Sequence, residues 1–126
     1  MRLARLLSAF ERAYRLKEAK ELLRKDWRKL NESLTPSTGF CYIAAEALFH
    51  LLGKTGLKVM YASYVEDGFP CTHWWLVKGK QIIDPTKSQY GGEEPPYRLG
   101  KGIGFLTTKI SKRAAKLTEI VLKELK

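Results

Sequence analysis

Three residues of this 126-residue chain could carry nucleophilic acyl chemistry: a cysteine, a histidine and an aspartate. Cys41 follows the turn Ser37-Thr38-Gly39-Phe40 and opens an almost wholly apolar run that ends at Gly53. With Thr38 as N-cap, Cys41 is the third residue of a helix. There the helix dipole and unpaired backbone N–H groups lower a thiol pKa, and the thiolate is the reactive form. A thiol nucleophile also needs a base within reach, and the base needs an orienting acceptor. His73 in "CTHWWLV" and Asp84 in "QIIDPT" lie on two strands separated by "KGK", which reads as a hairpin. If Lys78-Gly79 is the turn, His73 faces Asp84 directly. If Gly79-Lys80 is the turn, Asp84 pairs with Trp75 and lies diagonal to His73. Both registers put the two side chains on one face, with directly opposite Cβ atoms about 4.5–5.5 Å apart. Plainer readings exist for each: Cys41 as a small buried hydrophobe, His73 as a satisfied histidine among tryptophans, Asp84 as the start of an Asx turn before Pro85.

An acyl-transfer site needs donors for the oxyanion. The Cys41 backbone N–H is one, with Asn31, Ser37, Thr38 or Gln89 as helpers. Trp74 and Trp75 point to opposite faces; one is core, while the other walls a substrate cleft or shields the imidazole. Trp75 joins Ser37, Thr38 and Gln89 as a residue expected beside substrate. Cys71 shares the strand face of His73. It could pair with Cys41 as a redox switch, or bind zinc together with Cys41, His73 and Asp84. Because "CTH" lacks a CxxC pair, the reading is a buried spectator thiol, with no metal and no cofactor. His50, late on the apolar helix, reads as a packing or capping residue.

The elements that must position these groups follow from periodicity. Leu3, Leu6, Leu7, Phe10 and Tyr14, then Leu22, Leu23, Trp27, Leu30 and Leu34, predict one amphipathic helix or two, ending before Pro36. Ser37 or Thr38 caps the next helix, which is apolar nearly all round and so buried on most sides. "LKVMYASYV" is a strand and "EDGFP" a turn. Residues 88–104 form a Gly- and Pro-rich irregular segment, as functional loops often are. Its Tyr90, Tyr97, Arg98, Lys101 and Phe105 could stack bases or cover the cleft, and Gly100, Gly102 and Gly104 allow a tight or mobile loop. "TKISKRAAKLTEIVLKELK" is a closing helix, with Lys109, Lys112, Lys116 and Lys123 within roughly 60° of one another on its outer face. The class is α+β: N-terminal helices and a buried nucleophile-bearing helix packed on a small antiparallel sheet, then a C-terminal helix, in one domain over 1–126.

The net charge of +10 sits at the two ends. Residues 1–36 carry ten Lys/Arg against five Asp/Glu, residues 98–126 eight against two, and residues 37–97 five against six. Basic flanks, 1–36 and 106–126, around a neutral core suit an anionic partner such as nucleic acid, with Lys109, Lys112, Arg113 and Lys116 the residues expected to meet it. The plain alternative is a solvated surface. Two cysteines are too few for a disulfide framework, the N-terminus is too charged for a signal peptide, and no apolar run reaches about 18 residues. The expectation is a cytoplasmic protein with no membrane partner.

A cysteine opening a buried helix, then "HWWLV" on a strand, then "IIDPT" on the next, resembles the transglutaminase-like and papain-like superfamily. The resemblance spans residues 37–90 and places that family's nucleophile, base and orienting acid on Cys41, His73 and Asp84, in this chain order. It implies a thiol-dependent amide or acyl hydrolase, or an acyltransferase, working through a thioester. No upstream Gln of the papain type is present to complete an oxyanion hole. "GIGFLTTKISKRAAKL" resembles segments of small phage-encoded proteins and brings no chemistry with it. The competing expectation is a non-catalytic basic module that binds nucleic acid on a degenerate papain-like fold.

Overall fold

The two apolar stripes of the N-terminal region are out of phase. At 100° per residue, the stripe through Leu3 and Tyr14 and the stripe through Leu22 and Leu34 are centred roughly 160° apart. One straight helix could not bury both. In the computed structural model, which describes residues 2–105 and 107–126, the chain breaks twice here. It forms three helices where one or two were expected: α1 (Leu3–Ala13), α2 (Lys17–Lys20) and α3 (Lys25–Ser33). Leu16 and Arg24, each with extended φ/ψ, are the joints. The first stripe becomes core, with Phe10, Ala13 and Tyr14 fully buried. The second does so only in part: Leu23 is buried in the core, while Trp27 and Leu34 remain 48% and 63% exposed. Met1 and Leu106, the first residue of the C-terminal basic flank, lie outside the described residues.

The next helix, α4 (Cys41–Leu51), buries Ile43, Ala44, Ala45, Ala47 and Leu48. Its alanines let neighbouring elements approach closely. Strand β1 (Leu57–Glu66) turns through Asp67-Gly68 into β2 (Phe69–Lys78). Both turn residues have positive φ, 49° and 80°, as a tight primed hairpin turn requires. Strand β3 (Gln81–Ile83) follows Gly79-Lys80, and β4 (Lys101–Gly102) pairs on the far edge of β1. The sheet is antiparallel, in the order β3-β2-β1-β4. A closing helix, α5 (Lys112–Glu124), packs on α1 and α4. Among the described residues the architecture is α+β, with five α-helices and one open four-stranded sheet.

Side chains alternate across β2. Trp74 and Leu76 face the helices: Trp74 meets Tyr42 of α4 edge-on, and Leu76 joins the core of α1, α4 and α5 residues. His73 and Trp75 take the opposite face, covered by the irregular segment after β3. That segment is two 3-10 turns, Lys87–Tyr90 and Tyr97–Leu99. Gly100 lets it approach: a Cβ there would lie 2.6 Å from Trp75 Cζ2. Close contact, not mobility, is what this glycine provides.

Helix α5 starts at Lys112, with Ser111 as N-cap, not at Thr108 as the pattern suggested. Its start is tied to α4 by a buried carboxylate. Glu46, 0% exposed, accepts from the Ser111 backbone N–H and hydroxyl at 2.8 Å each. The carboxylate sits at the positive end of α5, where it is favoured electrostatically.

Candidate active site

Of the two hairpin registers, the chain adopts the second. Lys78 pairs with Gln81 across Gly79-Lys80, and Leu76 with Ile83. Continued by one residue, that register sets Asp84 beside Trp75, diagonal to His73 and on the same face. The diagonal is bridged directly: His73 Nε2 lies 2.6 Å from Asp84 Oδ2, and both side chains are almost completely buried.

Asp84 is fully engaged. Its Oδ2 also accepts from the Tyr97 hydroxyl at 2.9 Å, and its Oδ1 accepts from the Thr86 backbone N–H at 3.0 Å. The second bond is the Asx turn expected of "DPT", so local turn and imidazole partner coexist in one side chain. Since the carboxylate accepts, Nε2 is the donor, and the tautomer follows from the network. Nδ1 is the ring nitrogen that the carboxylate leaves for another partner. Gln89 Nε2 stands 3.4 Å from it. Trp75 stacks on the imidazole at 5.5 Å between centroids, and Tyr90 meets it edge-on at 4.9 Å.

Cys41 is the first residue of α4, not the third; Phe40 occupies the N-cap position and makes no side-chain cap bond. The thiol is half-buried and unpaired, as is Cys71. It opens on a groove of about 770 Å³ that is also lined by Tyr42, Tyr64, Cys71, Gln89 and Tyr90. The sulfur lies against the backbone N–H of Trp74, the neighbour of His73. Among the described residues no hydrogen bond joins the thiol to the imidazole. The expected lowering of the thiol pKa is reversed: burial pushes it up to about 11, with the charge of Asp84 adding to the rise. The N–H groups of Trp74, Tyr42 and Cys41 pull the other way and do not prevail. Desolvation by burial is the larger effect.

Other expected site residues fall differently. Ser37 is 0% exposed and its hydroxyl bonds Ser88 Oγ at 2.7 Å, so it does not face the groove. Asn31 spends its amide on the carbonyls of Pro36 and Thr38, at 2.8 Å each, and so holds the turn ahead of Cys41. Thr38 lines the groove, but its hydroxyl bonds Thr35 at 2.9 Å. Gln89 lines the groove too, with its Oε1 buried and unpartnered among the described residues. Trp75 is buried behind His73 and does not reach the groove; Trp74 does. Tyr90 and Tyr97 turn inward onto His73 and Trp75, and Phe105 packs on Tyr42 and Trp74, so these rings form no open stacking platform.

The basic residues also part company. Lys109 precedes α5, Lys112 and Lys116 stand exposed on it, and Arg113 turns to donate its Nε to the Leu22 carbonyl at 2.7 Å. No described group of three or more His, Cys, Asp or Glu could hold a metal ion. No described helix is long and apolar enough to cross a membrane. Tyr97 and Tyr90, which complete the surroundings of His73 and Asp84, lie in the irregular segment, where no periodicity assigns a direction to a side chain. No family model, curated protein or solved structure matches the chain.

Proposed function

We propose that the protein is a thiol-dependent amide or acyl hydrolase, or an acyltransferase, with Cys41, His73 and Asp84 arranged in the papain-like and transglutaminase-like manner. The observation that carries this reading is the buried His73–Asp84 pair at 2.6 Å, whose neighbours Gln89 and Tyr90 line the same groove as the helix-opening thiol of Cys41. His73 Nδ1 takes the Cys41 proton as the sulfur bonds to the substrate carbonyl carbon. Asp84 stabilises the imidazolium through Nε2–H. The Gln89 amide leaves Nδ1 and, with the backbone N–H groups around the sulfur, donates to the oxyanion. Collapse expels an amine or alcohol, which carries away the proton held by His73, and leaves a thioester. Water or an amine then attacks that thioester, giving its proton to His73, and the sulfur recovers it on release.

The test is acyl capture. Incubation with p-nitrophenyl acetate should place one hydroxylamine-labile acetyl group on the Cys41 peptide. Cys71→Ala should retain it and His73→Ala should lose it. Acetylation absent from Cys41, or equally fast in His73→Ala, would sink the reading.

A second reading has one observation behind it. Helices α1 and α5 pack together, and Arg12 of α1 donates to the Glu124 carbonyl of α5 at 2.8 Å. The two basic flanks therefore share one side of the molecule, which suits a nucleic acid or a nucleic-acid-associated substrate.

A further inference from the structure

The Cys41 groove has a charged feature that acyl transfer itself does not require. Arg24 and Arg113 both line it. Burial, and then the charge of Arg24, lower the pKa of Arg113, so the two positive charges that line the groove repel one another. Among the described residues neither forms an ion pair, although Glu66 and Glu93 line the same groove. The Arg113 fork is anchored by its Nε on the Leu22 carbonyl at 2.7 Å, a bond that does not use its terminal nitrogens. Two guanidinium groups that line one groove and form no ion pair among the described residues suit bidentate capture of an oxyanion. Trp27, Leu34 and Ile43 line the groove as well, and the exposure of the first two gives it an apolar wall with nothing packed on it.

We propose that Arg24 and Arg113 form an anion-recognition end of the Cys41 groove, so that the substrate joins its reacting carbonyl through an apolar portion to a carboxylate or phosphate. This rests on the reading of Cys41 as the nucleophile, and deepens it by naming the substrate class.

The test separates binding from turnover. The full-length Cys41→Ala protein is titrated by amide NMR with hexanoate, hexyl phosphate and hexanamide at low salt. Both anions should bind at least about fivefold more tightly than the neutral amide, with shifts at Arg24, Trp27 and Arg113; the ratio of the two anions tells carboxylate from phosphate. The preference should fall below about twofold in Arg24→Gln and in Arg113→Gln. It should persist in Lys78→Gln/Lys80→Gln, which removes two positive charges from the β2–β3 turn. Arg24 is exposed, so Arg24→Gln decides the matter if Arg113→Gln unfolds. Equal binding of the three ligands, or an equal loss of preference in the lysine variant, overturns the proposal. Anion binding in the groove together with failed acyl capture would overturn the enzyme reading and leave the anion site standing.

Discussion

The imidazole and the thiol impose different conditions on catalysis. His73 meets Asp84 through Nε2, so Nδ1 is the ring nitrogen turned to any other partner. Cys41 does not begin as a thiolate: with a pKa pushed up to about 11, its resting form near neutrality is S–H. On the proposed mechanism, His73 then acts as a general base during attack, not as half of a preformed ion pair. The sign of the pH effect follows. Only about one thiol in 10⁴ is ionised at pH 7, so iodoacetamide labelling of Cys41 should be slow there and rise about tenfold per pH unit until it levels near 11. A plateau already reached by pH 7 would remove the protonated resting state. The raised pKa also bears on stability. Its contribution is complete below the ordinary thiol value of 9.0 and is lost as pH climbs through about 11. Asp84→Asn tests the other partner. Its amide can donate to Nε2, which moves the ring proton to Nδ1 and removes the base. Acetylation of Cys41 should fall by about 10²–10⁴, and the ring ¹⁵N shifts of His73 should report the exchanged tautomer; unchanged shifts with unchanged acetylation would remove Asp84 from the chemistry. The shared face of His73 and Asp84 was legible from strand parity alone, because period 2 survives either two-residue register. The direction of the Cys41 shift was not. It depends on burial in a groove that Tyr42, Tyr64 and Tyr90 also line, and those come from three separate elements.

The elements hold the site by a few polar ties laid across an apolar core. Glu46 is the clearest. It sits on a helix otherwise read as apolar all round, two residues before Leu48, and nothing in the sequence connects it with Ser111. The structure pairs them because a buried carboxylate must find donors, and the N-cap residue of α5, Ser111, supplies two, its backbone N–H and its hydroxyl. Glu46→Ala strands both donors and should destabilise by about 2–4 kcal/mol; Glu46→Gln, which keeps one acceptor, should do less. Urea unfolding checks both, and equal midpoints for Glu46→Ala and the parent protein would show that the tie does not matter. Strands and their turns were readable because Asp67-Gly68 and Gly79 announce backbone conformations that few residues adopt. The N-terminal helices were less so. No proline or glycine marks Leu16 or Arg24, and only the change of phase between the two stripes records the breaks.

At the scale of the whole molecule, charge distribution is the feature that the thiol site leaves unused. Sequence located the positive charge at both ends, and the packing of α1 on α5 brings those ends together. Sequence could not give the orientation of individual residues, so Arg113 went with its neighbours on α5 until the fold turned it toward Leu22 and the groove. Lys112, Lys116 and Lys123 remain exposed and outside the groove, Lys116 within 3.4 Å of the Glu119 carboxylate. If this face meets nucleic acid, reversing all three charges in Lys112→Glu/Lys116→Glu/Lys123→Glu should weaken binding of duplex DNA by at least about tenfold at low salt. The slope of log affinity against log salt should shrink by up to about three, near 0.9 for each phosphate no longer neutralised. Iodoacetamide labelling of Cys41 should not move, because the three lysines lie outside the groove. A salt slope identical in the parent and the triple variant would assign the lysines to solvation alone, and the anion-binding role would rest with Arg24 and Arg113.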